Sequence, residues 1–176
     1  MSCDIGLGRI EPCKDQVGGL KAVYLVNFGT MEAVKETGTG LEDVIASVTG
    51  TPNAYRYDIK GASTFTQNIQ SSRENGTTAF EQVLEITLKK LSIADHRELK
   101  LLSYGRPHVI VEDYNKNFFL AGLEHGMDVT GGTIVTGGAM SDLTGYTLSL
   151  TGMELAPANF LSDAPANIGF TVVAGV

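Results

Sequence analysis

Between Ser63 and Leu88 the chain alternates polar and apolar residues in both halves of one hairpin, and this period of two constrains the fold more than any other feature. Thr64, Thr66, Asn68 and Gln70 are polar and uncharged, with apolar Phe65 and Ile69 between them. An extended chain sends successive side chains to opposite faces, so one face of this strand belongs to a core and the other is wet. Arg73-Glu74-Asn75-Gly76 supplies a turn in which Asn-Gly tolerates positive φ. The return strand alternates again, with Phe80, Leu84, Ile86 and Leu88 on one face and Glu81, Glu85 and Thr87 on the other. Pairing the two wet faces gives a surface of Thr, Asn, Gln and Glu with no basic group before Lys89. The Asn75-Gly76-Thr77 sequon reads as turn chemistry in this setting.

The rest of the chain supplies more strands and one helix. Leu20 to Phe28 is β-branched and aromatic and is closed by Gly29, which predicts a buried strand. Residues 29–43 carry no apolar stripe and read as a loop. Val44 to Val48 and Tyr55 to Ile59 read as two strands around the Gly50-Thr51-Pro52-Asn53 turn. Ser92 with Asp95 three residues on is a helix start, and Gly105 with Pro107 a stop, which predicts a helix of about three turns. His108 to Glu112 and Phe118 to Leu123 flank a hairpin loop over Asp113 to Asn117. The Gly/Thr run from Thr130 to Gly138 reads as a glycine-hinged loop or a strand bulge. In the next strand Tyr146, Leu148 and Leu150 alternate with Thr147, Ser149 and Thr151. A Pro/Ala/Asn linker follows Ala156, and Phe170 to Val173 reads as a last strand. Roughly eight strands and one helix predict a mainly β fold, a β-sandwich or barrel with one flanking α-helix. Residues 1–19 are expected to be an N-terminal arm, 20–162 the sandwich domain, and 163–176 a C-terminal strand or extension.

Composition narrows the function classes. The chain has 176 residues and a formal net charge of -7 from 13 basic and 20 acidic side chains, the wrong sign for holding phosphates by counterion release. The first residues lack the basic start and apolar run of a signal peptide, and no stretch reaches the roughly 18 apolar residues of a membrane span. Synthesis in a cytoplasm and no membrane partner are the expectations. Cys3 and Cys13 have no neighbouring ligands at zinc spacing and read as a reduced pair. Gly6-Leu7-Gly8 has no preceding strand, and Thr130 to Gly138 lacks the Gly-Lys-Ser/Thr ending of a phosphate loop. His96, His108 and His125 are dispersed. Glu112-Asp113 and Glu124-His125 could converge across their hairpin as an acid/base or divalent site, but strand-end polar residues account for them better. No catalytic, metal-binding or cofactor-binding residue is therefore assigned, no cofactor is expected, and the chain is read as not being an enzyme. A small β-sandwich module binding carbohydrate or peptide is the alternative, using Tyr55, Tyr57, Tyr114 and Phe118; 7% aromatic residues and no Trp count against it.

The order of these pieces carries a likeness. A polar-faced hairpin ending in the long strand Phe80 to Leu91 is followed by the helix Asp95 to Leu102 and by His108-Val109-Ile110-Val111-Glu112-Asp113. Then come Leu120 to Gly132, with its Gly-Thr run, and the strand Gly145-Tyr146-Thr147-Leu148-Ser149-Leu150-Thr151-Gly152. Over about residues 55–162 this order resembles the tail tube proteins of tailed bacteriophages and related injection systems. The resemblance implies hexameric rings whose inner sheets join into one continuous barrel and which stack into a hollow tube. It implies a structural virion protein of the phage tail, without catalysis, through which DNA passes without specific binding. Its partners would be further copies and other tail proteins: tape measure, terminator, baseplate or sheath. On that reading strand parity makes Thr64, Thr66, Asn68, Gln70, Glu81, Glu85, Thr147, Ser149 and Thr151 the candidates to face the lumen. Loop glycines Gly38, Gly40, Gly131, Gly132, Gly137 and Gly138 are the candidates for contacts between rings.

Overall fold

The computed structural model describes residues 5–38 and 40–175. The chain is a β-sandwich of two sheets with one flanking helix. Its strands are β1 (Leu20–Val26), β2 (Glu32–Lys35), β3 (Val44–Thr49), β4 (Asn53–Asp58), β5 (Thr64–Ser72) and β6 (Thr77–Lys89). The helix α1 (Ile93–Leu102) follows, and then β7 (His108–Asp113), β8 (Phe118–Ala121), β9 (Asp128–Val135), β10 (Gly145–Glu154), β11 (Asn159–Leu161) and β12 (Thr171–Val173). One sheet has eight strands in the order β12-β4-β1-β7-β8-β11-β3-β2; the other has four in the order β5-β6-β10-β9.

The larger sheet curls. Although β3 and β12 stand near opposite ends of its order, the Val48 amide donates to the Ile168 carbonyl at 2.7 Å. Gly169, at φ +114, lets the chain pass the Val48 carbonyl so closely that a Cβ would collide with it. Ala22, Tyr24, Val26, Ile45, Ala54, Ile110, Leu120, Leu161, Ile168 and Phe170 fill the space inside the curl. On the other face, Val23, Leu25, Val109 and Val111 pack against Leu84, Ile86 and Leu150 of the smaller sheet. The strands β1 and β7 are thus covered on both faces, which is why they read as unbroken apolar runs. The strands β5, β6 and β10 are covered on one face, and they alternate.

The helix begins as its sequence predicts: the Ser92 hydroxyl accepts from the Asp95 amide at 3.0 Å. Leu99 is its one buried residue among those described, so the helix is a flank and not a core element.

Two expectations need correction. The described residues form twelve strands where about eight were expected. The stretch 29–43 is not wholly loop, because β2 pairs with β3 there. The two strands expected around the Gly50–Asn53 turn are β3 and β4, and they do not pair with each other: β4 joins β1 and β12, and β3 lies at the other side of the sheet. Local alternation marks a strand, but its partner is chosen by the core. The C-terminal segment adds β12 alongside β4 in parallel, and Ile168 and Phe170 just before it are buried.

Leu84 is fully buried between the sheets, whereas Thr66 stands on the exposed face. Replacing Leu84 with Ala is expected to cost about 2–5 kcal/mol of unfolding free energy in denaturant titration. Replacing Thr66 with Ala is expected to change it by about 0.5 kcal/mol or less.

Candidate functional site

The wet face of the four-stranded sheet is the most distinctive surface. Cross-strand register places its residues in rows. Thr64 pairs with Glu85, Glu85 with Ser149, and Ser149 with Gly131. Thr66 pairs with Val83, Val83 with Thr151, and Thr151 with Asp128. Asn68 lies opposite Glu81, and Glu81 opposite Met153; Thr87, Thr147 and Thr133 form a further row. Directly paired residues share a face, so all of Thr64, Thr66, Asn68, Gln70, Glu81, Glu85, Thr147, Ser149 and Thr151 stand on one side of the sheet.

Their side chains also bond across the strands. Asn68 Nδ2 donates to Glu81 Oε2 at 3.2 Å, and Gln70 Nε2 reaches the same oxygen at 3.4 Å. The Thr130 and Thr151 hydroxyls meet at 3.2 Å, and those of Thr133 and Thr147 also touch. Such ladders hold short side chains flat against the sheet, and they leave a charged population of Glu81, Glu85 and Asp128, with Lys89 at one end. Asp128 was not singled out from sequence, because the register of β9 against β10 shifts between Ser149 and Leu150. A shift of this kind breaks the parity rule that found the other residues.

The outer strands of this sheet, β5 and β9, are each paired on one side only among the described residues. Four successive antiparallel strands make those two edges run in opposite directions. Gly131 and Gly132, in the run read as a glycine-hinged loop or a strand bulge, lie inside β9 itself, next to the register shift against β10. Gly131 faces open space, whereas a Cβ on Gly132 would collide with the Thr147 carbonyl, so the second glycine is needed for β9 to lie close to β10. Gly137 and Gly138 do stand in the β9–β10 connection, where Asp142 Oδ2 accepts from the Gly138 and Ala139 amides at 2.9 and 2.7 Å. Gly38 and Gly40 flank residue 39, which is outside the described residues, as is Cys3. Cys13 is exposed in the arm.

The acidic residues weighed for catalysis do not converge. Glu112, buried near the β7–β8 turn, takes the Lys21 ammonium at 2.6 Å and the Tyr24 hydroxyl at 2.9 Å. Burial first, and then this carboxylate, push the Tyr24 hydroxyl up to about 12. Asp113 closes the turn by accepting from the Asn117 amide at 2.8 Å. Glu124 and His125 lie beyond the other end of β8, where buried Glu154 accepts from the His125 amide at 2.9 Å and faces its Nδ1 at 3.2 Å. Glu154 and Gln82 were both missed from sequence. Each occupies an inward position of an alternating strand, and a polar residue at such a position is the signal that could have found them. Gln82 Oε1 accepts from the Gly122 amide at 2.9 Å. Glu154, Gln82, His125 and Lys35 line a cleft of about 450 Å³. Among the described residues no group of three or more His, Cys, Asp and Glu side chains could hold a metal ion. No described helix is long and apolar enough to cross a membrane. Tyr55 and Tyr57 share a cleft with Phe28 and Arg106, but Tyr114 lies at the β7–β8 turn and Phe118 packs inside the curled sheet, so the aromatics form no common platform. His96 is exposed on α1.

No family model matches this chain, and neither a curated protein nor a solved structure matches it.

Buried His108 has a displaced titration. Its Nδ1 donates to the Gly122 carbonyl at 2.6 Å and its Nε2 accepts from the Gly29 amide at 3.3 Å, a pattern that only neutral imidazole satisfies. Burial lowers its pKa below the usual 6.5, against a smaller opposing pull from the Gly122 carbonyl. The unfolded chain therefore binds the extra proton first, and stability falls as pH drops through and below about 6.5. Urea titrations between pH 7.5 and 5 should show this decline, and His108→Gln should lessen its slope.

Proposed function

We propose that this chain is a structural subunit of a phage tail tube, one that closes into rings through the edges of its four-stranded sheet. The observation that carries the reading is the combination of a largely polar, hydrogen-bonded sheet face, interrupted by Val83 and Met153, with two open edges of opposite direction. When β5 of one copy lies beside β9 of the next, the antiparallel alternation continues across the junction. Repeated head to tail, such a contact closes into a ring when its rotation allows, and the open edges disappear. The strands curve around an axis with the Thr/Ser/Asn/Gln/Glu face inward. Rings of six copies stacked on one another then make a hollow conduit, with other tail proteins at its ends and around it.

The acidity follows from that role. A conduit for DNA gains nothing from phosphate contacts, since each basic side chain would bind the polyanion and oppose its passage. Glu81, Glu85 and Asp128 on the face, together with neutral hydroxyls and amides, present water and repulsion instead. The chemistry of such a protein lies in assembly alone, and its working location is the virion tail.

Negative-stain electron microscopy of the purified protein at rising concentration tests the proposal. Rings or long hollow tubes are the expected outcome. A chain that stays monomeric at millimolar concentration, above all one that binds saccharides through the Tyr55–Tyr57 cleft, would overturn it.

A further inference from the structure

We infer that the N-terminal arm of one copy docks on the neighbouring copy, in the apolar groove between the start of α1 and the end of β9. The inference rests on the ring assembly proposed above and names the contact that would lock it from outside.

The arm has apolar side chains that nothing among the described residues covers. Ile5, Leu7 and Ile10 are 94%, 87% and 92% exposed. The arm is fastened to its own body at Val17, whose amide donates to Asn115 Oδ1 at 3.1 Å and whose carbonyl accepts from Asn115 Nδ2 at 2.8 Å. Before that point no described residue of the arm is buried.

The groove is apolar and open. Leu91, Ile93, His96, Ile134 and Tyr146 line about 400 Å³, with Ile93 95% exposed and Ile134 59% exposed. Two exposed isoleucines side by side, flanking buried Tyr146, mark a surface waiting for an apolar partner.

Topology brings the two features together. The arm joins the body at Val17–Leu20, beside Phe65 of β5. Phe65 points to the inner-core side of the four-stranded sheet, opposite the wet face. Ile134 pairs with buried Tyr146 and so points to that same side, but at the β9 edge. Arm root and groove therefore lie on one side of the sheet at opposite edges, separated within a copy by the packed larger sheet. Joining β5 of one copy to β9 of the next places the arm root beside the neighbour's groove. From Leu7 to Val17 an extended chain spans about 33 Å. Adjacent strands lie only about 4.8 Å apart, so the reach is ample. Gly6 and Gly8 on either side of Leu7 let the backbone follow the groove wall closely, since neither has a Cβ to hold it away.

The test uses disulfide trapping between two separately made populations, both carrying Cys3→Ser and Cys13→Ser. One also carries Leu7→Cys and the other Ile134→Cys, so any mixed dimer is intermolecular by construction. Under mild oxidation at assembling concentration the mixed dimer should form at least about tenfold faster than with Leu155→Cys, an exposed control site, in place of Ile134→Cys. Electron microscopy of the same mixtures separates the two proposals. Rings without preferential trapping overturn arm docking and leave the tube reading standing. Preferential trapping without rings supports docking and sinks the tube. Neither rings nor trapping overturns both. Deleting residues 1–14 removes no buried side chain among those described, so the melting temperature of the monomer should hold. The concentration needed for assembly should rise at least about tenfold, the loss that burial of one leucine side chain commands. Unchanged assembly of the truncated chain would contradict the inference.

Discussion

Everything in this molecule depends on one apolar seam, where Leu84, Ile86 and Leu150 of the small sheet meet Val23, Leu25, Val109 and Val111 of the large one. A strand has two faces, and committing the even positions of β6 and β10 to this seam leaves the odd positions of both strands no place but water. The polar face is thus a consequence of the core, and its composition is where the chain had freedom. That freedom went mostly to hydroxyls, amides and carboxylates, with Val83 and Met153 among them and Lys89 at one end of the rows. A surface chosen for solubility alone would more usually mix Lys with Glu.

The seam also dictates which edges remain. The large sheet curls until Val48 bonds to Ile168, and so it nearly hides its own ends. The small sheet is held flat against it and cannot close on itself with four strands. Its unpaired backbone at β5 and β9 is a liability in a solitary molecule, and a means of growth in an assembling one. Gly132 lets β9 lie tight against β10 at the edge that would receive a neighbour. The tube proposal, the acidity of the face and the docking of the arm all rest on those two edges.

Much of the small sheet was legible in the sequence because it is covered on one side. Parity from Thr64 to Gln70 and from Tyr146 to Thr151 grouped its residues on one face of the sheet, as the cross-strand register does, and Ser92 with Asp95 marked the helix start. The parts that were not legible have identifiable causes. The bulge at Ser149/Leu150 hid Asp128, and a glycine-rich composition made β9 read as a loop or a bulge. Short strands such as β2 and β11 carry too few residues to show a period, and the partners of β3 and β4 are set by the curl of the sheet. The inward Gln82 and Glu154 broke the apolar pattern without announcing which backbone groups they satisfy.

Hydrogen exchange measured across the assembly transition tests the central claim most directly, because it reads backbone pairing strand by strand. The account predicts that amides of Thr64–Ser72 and Asp128–Val135 gain protection together as concentration rises, while those of β2 and β12 do not change. Protection gained at β2 or β12 alone, or no gain at β5 and β9 in an assembled sample, would contradict it.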